Sequence, residues 1–183
     1  MKSVMMIAGA MLMATAAPAF AQMTPADTGV QPITGTSATD YVKLAADSDL
    51  YEITSGRLAM TKSKRADVKS FARETVTDHT NTSKALNAAL VNKDRKIAKP
   101  STRLSAENEA KITLLKKAPK ASFDDLYLQQ QAEAHKAAWA LHKGYATEGT
   151  DPALKQVAST AVPVIERHLM HAKQLTTTAM SGM

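Results

Sequence analysis

The sequence contains no cysteine. That absence excludes disulfides, thiolate metal ligands, a cysteine nucleophile and a lipid-bearing cysteine at a processed N-terminus. Aromatic residues are scarce: four tyrosines, three phenylalanines and one tryptophan in 183 residues. The chain carries a formal net charge of +6, yet it lacks the rings for a base-stacking platform, so nucleic acid is not an expected partner. Its basic residues scatter near predicted helix ends, where cations are favoured. A phosphate-binding glycine loop, G-x-S-x-G and H-E-x-x-H are all missing. Long alternating β-branched runs are missing too, which argues against a sheet.

One apolar run is present, at the front. MKSVMMIAGAMLMATAAPAFAQ has a positive start at Lys2, an apolar stretch from Val4 to Ala17 and an A-x-A site at Ala19-Phe20-Ala21. These are the marks of a secretory signal over 1–21, with cleavage before Gln22. The protein is therefore expected to be exported, periplasmic or secreted. No later run is long enough to span a bilayer, so no transmembrane segment is expected after cleavage. Of the ten methionines, Met1, Met5, Met6, Met11 and Met13 fall inside the signal, and the others are dispersed, so a methionine copper site is not supported.

Residues 22–38 contain Pro, Gly, Thr and Ser without periodicity and predict a flexible lead-in. Beyond them the pattern is helical. Helices are predicted from about Asp40 to Lys62, Ala66 to Lys93, Ser105 to Lys117 and Ser122 to Thr147, and a last one opens at Pro152 and carries Leu175. Ser122 with Asp125 reads as a capping box. Gly149 can stop one helix, and Asp151 can cap the next. Pro163 sits inside the last helix and predicts a bend before His168. Four long amphipathic helices, with a short extra helix in the connection between the second and third, predict an all-α four-helix bundle over 39–178.

Each long helix carries one ionisable residue on or beside its apolar stripe: Glu52, His79, His135 and His168. Counted from the turns, Glu52 and His79 lie within about one helical turn of the same height, and His135 and His168 behave alike. Buried ionisable groups are costly unless paired or bound to a metal. Three imidazoles and a carboxylate suit a divalent ion such as Zn(II), Mn(II) or Fe(II). Asp78, Glu74, Glu133 and Glu166 are close enough in sequence to orient the rings. The competing reading is a set of satisfied core groups, with Glu52 bonded to His135 or His168 and no ion. His142 and His171 are expected at a solvated edge.

The strings DLYEITSGRLA, VKSFARETVTDHT, FDDLYLQQQAEAH and VPVIERHLMHAKQL resemble a family of bacterial exported proteins, the domain of unknown function 4142 family. The resemblance covers about Asp40 to Leu175. It implies a ferritin-like bundle and a periplasmic or outer-membrane setting, with no established activity; an unidentified envelope partner is expected separately, and an oligomer is left open. Di-iron carboxylate bundles use Glu-x-x-His, which does not occur here. At that offset Glu74, Glu133 and Glu166 are followed by Thr77, Lys136 and Leu169. A mononuclear metal or small-ligand site is the expectation, in a protein that is not a conventional enzyme. The alternative is a non-catalytic structural or interaction protein of the envelope.

Overall fold

The structure is a computed structural model and describes residues 22–91 and 96–181. The predicted signal over 1–21, and Lys93 at the predicted end of the second helix, lie outside the described residues. Among the described residues there are six helices and no strand: α1 (Pro25–Thr28), α2 (Ala38–Lys62), α3 (Ala66–Ala89), α4 (Ala106–Lys117), α5 (Phe123–Glu148) and α6 (Pro152–Ser181). The chain is all-α, as its periodicity predicts.

Short polar side chains open three of these helices. Ser37 accepts from Asp40 N at the start of α2, and Ser105 from Asn108 N at the start of α4. Asp151 accepts from the amides of Ala153 and Leu154 at 3.0 Å, and Pro152 fills the first turn of α6. Ser122 departs from expectation: it makes no side-chain cap, and its hydroxyl bonds back to the Pro119 carbonyl instead. At the far end of α4, Lys62 Nζ donates to the carbonyls of Leu115, Lys116 and Ala118, which fastens the end of α2 to the end of α4.

Helix α2 packs chiefly on α3, and α5 on α6, while α3 faces α6, α2 faces α5, and α4 lies across α2 and α5. Neighbouring long helices run antiparallel. Asp49 meets His79 while Gly56, further along α2, meets the earlier Ala72. Tyr41 meets His142 while Tyr51 meets the earlier Gln130. Gly56 is where α2 and α3 come closest: a Cβ there would stand 2.7 Å from Val76 Cγ2 and 3.1 Å from the Ala72 carbonyl.

The buried stripe of α3 runs through Val68, Phe71, Ala72, Thr75, His79 and Leu86. Two helices bury a face broader than one stripe. Helix α5 buries Leu128, Gln131, His135, Ala138 and Trp139, whereas Ala137 is exposed. On α2, Leu44 is 46% exposed and Ala45, Asp49, Glu52 and Gly56 are buried. The cause is double duty: α5 packs on both α2 and α6, so its buried face is wider than one heptad stripe.

The flexible lead-in is predicted over 22–38; Ala38 instead opens α2, and residues 22–37 lie along α5 and α6. Ile33 N donates to the Ala140 carbonyl at 2.9 Å, Met23 N to Glu166 Oε1 at 3.0 Å, and Lys173 Nζ to the Asp27 carbonyl at 2.9 Å. Met23 and Val30 pack against the cluster of Trp139, Ala161 and Ile165. Gly144 makes the approach feasible, because a Cβ there would collide with the Ile33 carbonyl.

Helix α6 continues through Pro163 as one element, and the proline is exposed. Ser159, whose carbonyl it leaves unbonded, is also exposed, so water can take that carbonyl. His168 lies about 140° around the helix from Pro163, so the proline makes no room beside the imidazole.

Candidate metal centre

Two apolar clusters fill the bundle above and below its middle. One gathers Phe71, Tyr127, Ala172 and their neighbours, and the other Leu86, Leu141, Ala158 and theirs. Between them in sequence lie Glu52 on α2, His79 on α3, His135 on α5 and His168 on α6. All four are buried, at 1%, 2%, 0% and 0% exposure. All four expected residues therefore lie in the core.

The three imidazoles form the tight part. One nitrogen of each lies within 4.8 Å of the others, so His79, His135 and His168 could hold a metal ion. Glu52 is not part of that group. Its Oε1 stands 3.9 Å from His135 Nδ1, the nitrogen that already donates to the Gln131 carbonyl at 2.8 Å. Both Glu52 oxygens are buried without a hydrogen-bond partner.

Each ring is anchored from behind. His79 Nδ1 lies 2.8 Å from Asp49 Oδ1, and Asp49 also accepts from Thr82 and Ser83. His168 Nε2 lies 3.0 Å from Asp78 Oδ2, which Arg167 also contacts. A carboxylate or carbonyl behind a ring fixes which nitrogen carries the proton and leaves the other nitrogen's lone pair pointing inward. His79 Nε2 is such an atom, buried with no partner.

Counting protons shows that two neutral rings cannot fill every contact here. His135 Nε2 and His168 Nδ1 face each other at 3.3 Å. The outer contacts of these two rings end on the Gln131 carbonyl and the Asp78 carboxylate, and both only accept. Three contacts thus have to be filled by two neutral rings, which carry one N–H each. Whichever way the tautomers are drawn, one contact brings two lone pairs together. A third N–H, gained by protonating one ring, or a cation between the facing nitrogens would resolve it.

The electrostatics resist the proton. Burial, with the charge of His79 second, pushes His135 down to about 3. Burial, followed by the charges of His135 and His79, pushes His168 down to about 2. Burial also lowers His79, but the Asp49 hydrogen bond and the charges of Glu52 and Asp49 outweigh it and leave that ring raised. Burial raises Glu52 to about 7, against the pull of His79. The core therefore contains a carboxyl without hydrogen-bond partners and two rings that reject protons.

Three expectations about neighbours change. Glu166 orients no histidine; its Oε1 accepts from Trp139 Nε1 at 2.9 Å and from Met23 N. Glu133 pairs with Lys136 on the exposed face of α5. His142, expected at a solvated edge, is 5% exposed, and its Nδ1 bonds the Tyr41 hydroxyl at 3.0 Å. His171 is indeed partly exposed and lies 3.5 Å from Glu74. Asp49 was missed by the sequence reading. Its signal was its place on α2, three residues before Glu52 and four after Ala45.

A buried cluster of imidazoles at the waist of a helical bundle defines a candidate metal-binding protein. The family model described as a domain of unknown function (DUF4142) matches residues 21–175, and the chain belongs to that family. No curated protein and no solved structure matches the chain.

Proposed function

We propose that this protein binds one divalent transition-metal ion at the waist of the bundle, through His79, His135 and His168. The observation that carries the reading is the 3.3 Å approach of His135 Nε2 to His168 Nδ1 between two obligate acceptors. That separation matches the ligand–ligand edge of a tetrahedral zinc site, about 3.3 Å for Zn–N bonds near 2.05 Å. Three neutral imidazoles favour Zn(II) over Mn(II) or Fe(II), which take more oxygen ligands. Glu52 lies outside the tight group, 3.9 Å from the outer nitrogen of His135, and would have to move toward the inner nitrogens to supply an oxygen as fourth ligand.

A ferritin-like relationship agrees with four antiparallel helices and one long crossover. The absence of Glu-x-x-His separates this chain from di-iron enzymes, so binding rather than oxidation is the proposed role. The leader-like N-terminus, with its A-x-A site, supports a periplasmic or outer-membrane-associated setting, where the protein would handle metal in the envelope, including under stress.

Protein prepared without a polyhistidine tag should retain close to one ion per chain by elemental analysis. The stripped chain should take up Zn(II) in a calorimetric titration. At a hundredfold excess over Kd, binding should stabilise the fold by about 2.7 kcal/mol. His135→Ala should lose the ion. Sub-stoichiometric metal, together with no thermal shift on adding Zn(II), Mn(II) or Fe(II), would leave only a helical scaffold with a polar core.

A further inference from the structure

The three clustered imidazoles are sealed from solvent, so an ion needs a way in. His79 is backed by Asp49, itself 5% exposed, and His135 by the backbone carbonyl of Gln131, whose side chain is fully buried. His168 differs. Its Nδ1 faces His135, and its Nε2 faces Asp78, whose side chain is 24% exposed. A single ring thus joins the sealed cluster to a group that water can reach.

Around that outer face lies a second set of metal-competent donors. One donor atom each from Glu74, Asp78 and His168 lies within 4.8 Å of the others. His171 Nδ1 stands 3.5 Å from Glu74 Oε2. The position is held by a cation of the protein itself. Arg167 donates from Nε to Glu74 Oε1 at 3.0 Å and from Nη2 to Asp78 Oδ2 at 2.6 Å. Arg167 is 46% exposed at its side chain, so its guanidinium can swing into water without opening the core. Two observations separate this patch from an ordinary surface ion pair. It shares His168 with the sealed cluster, and that cluster contains a buried, unpartnered nitrogen, His79 Nε2.

We propose that Glu74, Asp78 and His168 form an outer receiving station for a divalent cation, closed at rest by Arg167, through which the ion passes to the inner histidines. This rests on the metal-binding reading above. The incoming ion displaces the guanidinium from the two carboxylates. Held first by the carboxylates of Glu74 and Asp78, it then passes to Nδ1 of His168 as that ring turns about its side-chain bonds to present this nitrogen and carry the ion inward, the ring proton staying on Nε2. Like charge makes Arg167 and the ion mutually exclusive, so the arginine sets the rate of passage rather than the depth of the final well.

Zn(II) uptake and release can be followed in a stopped-flow instrument, by competition with a chromophoric chelator, on the chain and on Arg167→Gln and Glu74→Gln. Neither residue touches His79 or His135, and both are partly exposed, so both variants should fold. Arg167→Gln should speed uptake and release together by roughly tenfold, and Glu74→Gln should slow uptake by a similar factor. Equilibrium affinity should stay within about twofold of the parent in both variants. Parent-like rates in both variants, with Zn(II) still bound, would overturn the route and leave the inner site standing. Affinity losses as large as the rate changes would overturn it too, since Glu74 would then belong to the resting site. A parent chain that takes no Zn(II) would remove the inner site and this route with it.

Discussion

Asp49 gathers three donors of α3 onto one carboxylate: the ring of His79 and the hydroxyls of Thr82 and Ser83. It is 5% exposed, so none of those bonds is readily replaced by water. Asp49→Ala should cost about 1–3 kcal/mol in urea unfolding. It should also weaken Zn(II) binding by roughly 10–100-fold, since His79 loses the group that orients it. Asp49→Asn keeps an acceptor and should do less harm on both counts. The core positions of Glu52, His79, His135 and His168 were legible because each recurs with the apolar period of its own helix. Asp49 was not, because a carboxylate on the edge of a stripe reads the same whether it faces water or a neighbouring imidazole. The tilt that kept Glu52 outside the tight group was hidden as well. A heptad pattern gives height and face to within a turn, whereas ligation is decided by less than an ångström.

At the scale of elements, the four long helices and the crossover followed from periodicity and capping residues. The N-terminal segment did not, since its backbone bonds to Ala140 and Glu166 leave no periodic trace. What did remain in the sequence was Gly144 on α5, a small residue where the strap needs clearance. Gly144→Ala should push residues 22–37 off α5. Limited proteolysis should then cut that segment well before the bundle, with the helical circular dichroism intact. Gly56→Ala acts between α2 and α3 instead. Its Cβ meets Val76 and the Ala72 carbonyl, so it should lower stability by about 1–3 kcal/mol without freeing the N-terminal segment. Equal proteolysis of the two variants would contradict this division.

For the whole molecule, the buried histidines set a direction with pH. In the unfolded chain His79, His135, His142 and His168 take protons near pH 6.5, and Glu52 ionises near 4.5. In the folded, metal-free chain burial keeps His142 neutral to about 4, and His135 and His168 to about 3 and 2. Their depressed values mean that stability is lost as pH falls below 6.5. Glu52 and His79 are raised and act the other way, each favouring the fold while protonated. Between pH 4.5 and 6.5 the unfolded chain holds about four of these protons and the folded chain about two. The net effect is destabilisation on acidification, by about 2.7 kcal/mol per pH unit at most. A melting temperature that does not move between pH 7 and pH 5 would contradict it. Above pH 7 Glu52 ionises against the cost of its burial, so bound metal should stabilise the chain most there.

The bond from Met23 N to Glu166 places the front of the described chain against the helix that carries His168, two residues from that ring and beside the indole of Trp139. An affinity handle fused directly to Gln22 would leave the molecule at that spot. It would crowd a carboxylate shared by the strap and the tryptophan. Preparations meant for metal work are therefore better built with a histidine-free handle at the opposite end.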